Sequence, residues 1–139
     1  MIVDAEWCIV KPRPRRRATI FRVYSDQVLD HFQNPRNAGD ILNPTASAQI
    51  ENPACGDIIK LTVKIVNGRI AEIGFRAKGC VPAIACGSML TELVKKKTTS
   101  EAQKLTRQDL TNAIGGLPEA SGHASYLAID ALNAALRGL

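Results

Sequence analysis

The sequence predicts an α+β fold, a small antiparallel β-sheet of about three strands packed against helices. Three observations carry that expectation. Two runs of apolar–polar alternation, residues 58–66 and 71–78, flank an Asn67-Gly68 pair. Alternation marks half-buried strands, and Asn-Gly between two such runs marks a hairpin. Helical spacing then occupies most of the chain from residue 81 onward.

Taken in chain order, Ser25 suits the N-cap of a helix running to about Gln33, with Val28, Leu29 and Phe32 on one face. Pro35 cannot continue that helix and disfavours the helical conformation at Asn34. Residues 38–54 read as loop, with an edge strand expected at 46–50. In the first hairpin strand Ile59, Leu61, Val63 and Ile65 share a face; in the second, Ala71, Ile73, Phe75 and Ala77 do. A strict two-residue loop would pair Ile65 with Ile70 and Val63 with Glu72, opposing the two apolar sets. A three-residue loop with a bulge at the glycine is therefore expected.

A helix over 81–96 has Pro82 in its first turn, where proline is tolerated, and Leu90, Leu93 and Val94 on one stripe. Threonines open two short helices, Thr98 or Thr99 to Leu105 and Thr106 to Ile114, the second ended by Gly115-Gly116. A last helix is expected from about Gly122 to Leu136, with Ala124, Leu127, Ala131 and Ala135 together.

Length and composition bound the function. At 139 residues with 45% hydrophobic and 22% charged residues, the chain is expected to form one globular domain with a true core. No apolar run approaches the roughly 18 residues of a membrane span, and no secretory apolar stretch opens the chain. The net charge of +5 is local. Six basic residues, including the "KPRPRRR" run, fall within residues 1–23 against Asp4 and Glu6, which leaves the remainder at +1. That remainder lacks the basic footprint of a nucleic-acid binder. Residues 1–23 are expected to form a flexible basic arm, residues 24–139 the folded domain, and the compartment is read as cytoplasmic. Four cysteines (Cys8, Cys55, Cys80, Cys86) are then expected as free thiols or metal ligands rather than disulfides. Cys8 receives no role.

The chemistry gathers at one end of the hairpin. Cys55 precedes the first strand and Cys80 follows the second, so antiparallel pairing brings them to the same end. Strands lie about 5 Å apart, within the span of a shared metal. Cys80 also stands at a helix start, where the dipole favours a thiolate. Spacing alone leaves the alternatives open. Two half-buried small residues fit as well as two ligands, Asp57 suits a turn carboxylate, and His123 suits a helix cap.

The segments "YSDQVLDHFQNPRNAG", "NPACGDIIKLTV", "FRAKGCVPAIACGSMLTE" and "GHASYLAIDALNAAL" resemble, in order, the iron–sulfur cluster scaffold proteins of the IscU / NifU N-terminal type. The likeness spans residues 24–138. It implies a scaffold, not an enzyme, on which a [2Fe–2S] cluster is built from iron and from sulfur delivered by a cysteine desulfurase. The labile cluster then passes to apo iron–sulfur acceptor proteins. Ligands in the family are three cysteines, an aspartate and a histidine. Cys55 and Cys80 match the first two cysteines, Asp57 the aspartate and His123 the histidine.

The third cysteine position is Ala124. The remaining S₂NO set suits a labile cluster or a tetrahedral Zn²⁺, and the missing thiol makes a homodimer sharing one cluster attractive. Cys86 lies six residues from Cys80, roughly 120° around an ideal helix, and is expected to face the core. Residues Leu117-Pro118-Glu119-Ala120-Ser121 depart from the family's chaperone-recognised segment, so an Hsp70-type chaperone partner is not carried over. His31 is expected to pack and cap. Two other functions fit the same residues: a zinc-binding paralogue regulating the desulfurase, and a persulfide relay through Cys80 or Cys55.

Overall fold

The computed structural model describes residues 24–52, 56–117 and 122–137. The elements are α1 (Asp26–Gln33), β1 (Ala46–Asn52), β2 (Asp57–Val66), β3 (Arg69–Lys78), α2 (Val81–Val94), α3 (Thr99–Gln103), α4 (Arg107–Ala113) and α5 (His123–Leu136). The expected arm at 1–23 lies outside the described residues. Among those described, no helix is long and apolar enough to cross a membrane.

Three strands form one antiparallel sheet in the order β1-β2-β3. One face carries Ile59, Leu61, Val63, Ile73, Phe75 and Ala77, all buried. Helix α5 packs on β1 and β2, α2 packs on β3, and α1 packs on α2. The alanine-rich face expected on α5 is fully inside: Ala124, Leu127, Ala131 and Ala135 are all buried. Small side chains there let the helix lie close to the sheet.

The hairpin corrects one expectation. Its loop has two residues, Asn67 and Gly68, with φ of 55° and 77°, the left-handed pair that suits the twist of flanking strands. Val66 pairs with Arg69 and Ile65 with Ile70, after which the register shifts and Lys64 meets Glu72. The extra residue is Ala71, inside β3 rather than at the glycine, and it is exposed. Ile70 takes the buried place assigned to Ala71. The bulge restores the phase while keeping the tighter turn.

Residues 37–41 seal the outer edge of β3. Gly39 donates its N–H to the Phe75 carbonyl at 2.6 Å, and the Phe75 N–H reaches the Asn37 carbonyl at 3.0 Å. Asp40 sits on the far sheet face, 3.3 Å from Arg76 Nε and 3.5 Å from Lys60 Nζ. This strap explains why Arg76, expected on a solvated face, is buried. Gly74 permits the approach, because a Cβ there would stand 2.2 Å from the Gly39 carbonyl oxygen.

Helix starts follow the sequence closely. Ser25 Oγ accepts from the Val28 N–H at 3.0 Å. Thr98 with Glu101, and Thr106 with Asp109, form reciprocal capping boxes. Helix α2 stops at Val94, short of the expected residue 96. It is buried on nearly all sides, Ser88 and Thr91 included. Ser88 Oγ lies 2.7 Å from His31 Nδ1 and accepts from the Arg36 N–H at 2.9 Å. His31 thus packs α1 on α2 in the structural role expected of it.

Burial, then the nearby Arg36 charge, push the His31 pKa below its ordinary 6.5, although Asp30 and Glu92 pull the other way. The folded ring therefore refuses a proton that the unfolded chain accepts below about pH 6.5. Stability should be complete above that pH and fall as the pH drops from there toward the folded-state pKa. Urea midpoints measured from pH 7.5 to 5 should show this decline, and His31→Gln should flatten it.

Candidate metal centre

Three element starts converge at the open end of the hairpin. Asp57 begins β2, Cys80 is the N-cap residue of α2, and His123 is the first residue of α5. The ladder sets the first two side by side: Ile58 pairs with Lys78 at the end of β3, and one glycine separates Lys78 from Cys80. Antiparallel pairing carries the expectation that Cys55 and Cys80 share this end; Cys80 is here, and Asp57 rather than Cys55 is the described residue beside it. The arrival of His123 from α5 could not be read from spacing.

The carboxylate of Asp57 is the hub. Oδ1 accepts from the Cys80 backbone N–H at 3.3 Å, and Oδ2 accepts from the Cys80 thiol at 3.2 Å. His123 Nε2 lies 3.5 Å from Oδ2. One ligand atom from each of Asp57, Cys80 and His123 falls within 4.8 Å of the others. Asp57 is therefore no simple turn residue, being 4% exposed. Cys80 is the N-cap residue of α2, but its side chain makes no capping bond to the helix, and the strand carboxylate supplies the negative group that a helix start favours.

Two details test whether a metal fits here. His123 exposes one edge of its ring, yet Nε2 is buried and makes no hydrogen bond. A buried polar atom left without a partner is costly, and an imidazole nitrogen facing a thiol and a carboxylate suits a cation. Sulfur, nitrogen and oxygen donors together match zinc or iron rather than calcium or magnesium. The residues present fit such a group.

The other site residues fall as follows. Cys55, the fourth expected ligand, lies outside the described residues, as do Cys8 and residues 118–121 of the segment at 117–121. Gly56, next to Cys55, turns the chain with φ of 74°. Ala124 is fully buried in the core. Cys86 is buried too, as expected; burial, with a smaller contribution from Cys80, pushes its thiol up to about 12.

Sequence reasoning missed Gly79. Its φ is 154°, and a Cβ there would stand 2.3 Å from Asp57 Oδ1. The only trace in the sequence is a glycine immediately before Cys80.

Comparison with known proteins places this geometry in a family. Residues 23–138 match the NifU-like N terminal domain. The chain is 47% identical over 114 residues to iron-sulfur cluster assembly scaffold protein IscU 1 of Archaeoglobus fulgidus, covering 82% of this chain and 74% of that one. It is 41% identical over 117 residues to the scaffold protein IscU of Escherichia coli, covering 81% and 91%. A crystal structure described as a putative iron-sulfur cluster assembly scaffold protein for the SUF system, from Fervidobacterium islandicum, superposes with a TM-score of 0.69. At 19% identity, over 83% of this chain and 97% of that one, it speaks to fold alone. With a family match over nearly its whole length and relatives above 40% identity, this chain belongs to the NifU-like N-terminal domain family.

Proposed function

We propose that this protein is an iron–sulfur cluster assembly scaffold that holds a labile [2Fe–2S] cluster as cargo and passes it to apo acceptor proteins. The observation that carries the reading is the meeting of Asp57, Cys80 and His123 within 4.8 Å, in a chain whose relatives at 41–47% identity are named as such scaffolds. Cys55, two residues before Asp57 in sequence, completes the proposed ligand set. Sulfur would come from a cysteine desulfurase.

Each group has a distinct task. Cys80 supplies a thiolate at a helix start; its thiol donates to Asp57 Oδ2 at 3.2 Å, and the proton passes to solvent as the sulfur ligates, leaving Oδ2 unprotonated. His123 offers the unsatisfied Nε2. Asp57 is tied through Oδ1 to the Cys80 amide, so it presents one hard oxygen to a soft cluster iron. A hard oxygen on a soft iron is the weakest ligand of the set, and its dissociation provides the route for ligand exchange that transfer requires. Ala124 leaves the set without the family's third thiolate and favours a cluster shared between two copies.

Anaerobic reconstitution with Fe²⁺ and sulfide tests the reading directly. The wild type should give the absorption and Mössbauer signature of a [2Fe–2S] cluster, and Asp57→Ala should hold it longer, because the exchange route is closed. Failure of both proteins to hold a cluster, with stoichiometric zinc retained by the wild type and a loss of thermal stability on chelation, would select the zinc-binding paralogue instead.

In a persulfide relay through Cys80 or Cys55, Cys86 is a poor substitute acceptor, because it is buried with a raised pKa and the thiolate is the reactive form. Alkylation of the native protein with iodoacetamide at pH 8, read by peptide mass, should modify Cys80 and spare Cys86 until the chain is unfolded. Labelling of Cys86 at the same rate as Cys80 would show that α2 opens far more readily than its packing implies.

A further inference from the structure

We infer that Gly79 is a positioning residue: its missing side chain is the space that the Asp57 carboxylate fills, and that placement sets the metal-binding geometry of Cys80. Six described glycines have positive φ; at Gly115 a Cβ would meet the Gln27 and Ser25 side chains, and three others need only the backbone freedom. At Gly56, Gly68 and Gly116 a Cβ would meet nothing within 4 Å. Gly79 differs. With φ of 154°, its Cβ would stand 2.3 Å from Asp57 Oδ1, 2.6 Å from Cγ and 3.0 Å from Asp57 Cβ.

The collision involves the whole carboxyl group, not the tip of a flexible chain. Asp57 is buried, so the carboxyl cannot drift a little and stay. A methyl at position 79 would drive it off the Cys80 N–H, 3.3 Å away, and away from the Cys80 thiol and His123. Gly79→Ala should therefore behave as a loss of Asp57 without touching Asp57. The converse also follows. Asp57→Ala removes Oδ1 and Cγ, so most of the collision disappears in that background. Residues that act on each other in this way give non-additive double-mutant cycles.

The test uses the full chain as wild type, Asp57→Ala, Gly79→Ala and the double variant. Its metal half rests on the proposed function; its steric half does not. In the first measurement Co²⁺ alone is titrated into chelated protein and followed by its thiolate charge-transfer and visible bands. Gly79→Ala should weaken Co²⁺ binding by about 10- to 100-fold, the range typical of groups that orient a ligand. The double variant should bind no more weakly than Asp57→Ala. Wild-type affinity in Gly79→Ala would overturn the inference.

In the second measurement, urea midpoints are taken with chelator present. Gly79→Ala should lower the midpoint in both backgrounds, because φ of 154° strains any side chain, and should lower it clearly further in the wild-type background, where the carboxyl is displaced as well. Equal losses in both backgrounds would overturn the steric argument and reduce Gly79 to a turn residue. Should Gly79→Ala not fold, recovery of a folded double variant supports the inference, and no recovery overturns it. A wild type with no Co²⁺–thiolate band would overturn the scaffold reading and the metal half with it, leaving the urea cycle to decide the placement of Asp57.

Discussion

The pairing of β2 with β3 does more than build a sheet. Antiparallel strands return the chain to its starting edge, so the residue that opens β2 and the residues that follow β3 become neighbours. Asp57, Gly79 and Cys80 owe their proximity to that ladder, and the register is held along its whole length by the buried apolar face. A slip of β2 by one residue would turn Asp57 outward and expose Ile59 and Leu61 with it. The core therefore guards the site geometry, because the same register serves both.

Helices complete what the hairpin begins. Helix α2 starts at Cys80 with no cap of its own, and the carboxylate that serves it comes from a strand. Helix α5 brings His123 to the same point while burying Ala124 in the core. Three polypeptide starts thus meet around one acidic group. A buried carboxylate is tolerable only when its charge is answered, and here an amide, a thiol and an imidazole surround it.

Much of this was legible in the chain. Alternation gave the strands, the threonines gave the starts of α3 and α4, and the small-residue face of α5 marked its buried side. The chain's turn position was right and its bulge was misplaced, because periodicity shows that a phase must be repaired but not where. Ala71 carries no mark of an extra residue; only the twist of the Asn67-Gly68 turn, which keeps Ile65 opposite Ile70, forces the bulge into β3. Arg76 looked solvated because the strap that covers it, residues 37–41, has no strand pattern of its own.

Three residues of the candidate site were legible in the sequence, and its construction was not. Cys80, Asp57 and His123 stand out as chemistry-bearing residues in motifs that resemble a known family. What spacing cannot convey is that Asp57 would be buried, that one of its oxygens would be engaged by the Cys80 backbone, or that an absent side chain at Gly79 would make the room. Empty volume leaves no letter behind except a glycine, and most glycines mean something else.

The depth of Cys86 has one more consequence. Thiols oxidised at an exposed site are commonly rescued by a second, resolving cysteine that captures the sulfenic acid as a disulfide. Helix α2 has one thiol at its N-cap, Cys80, and another six residues on, Cys86, yet the second is sealed in the core as a neutral thiol. Oxidative damage at Cys80 finds no repair within its own helix, and the capturing sulfur has to come from outside it.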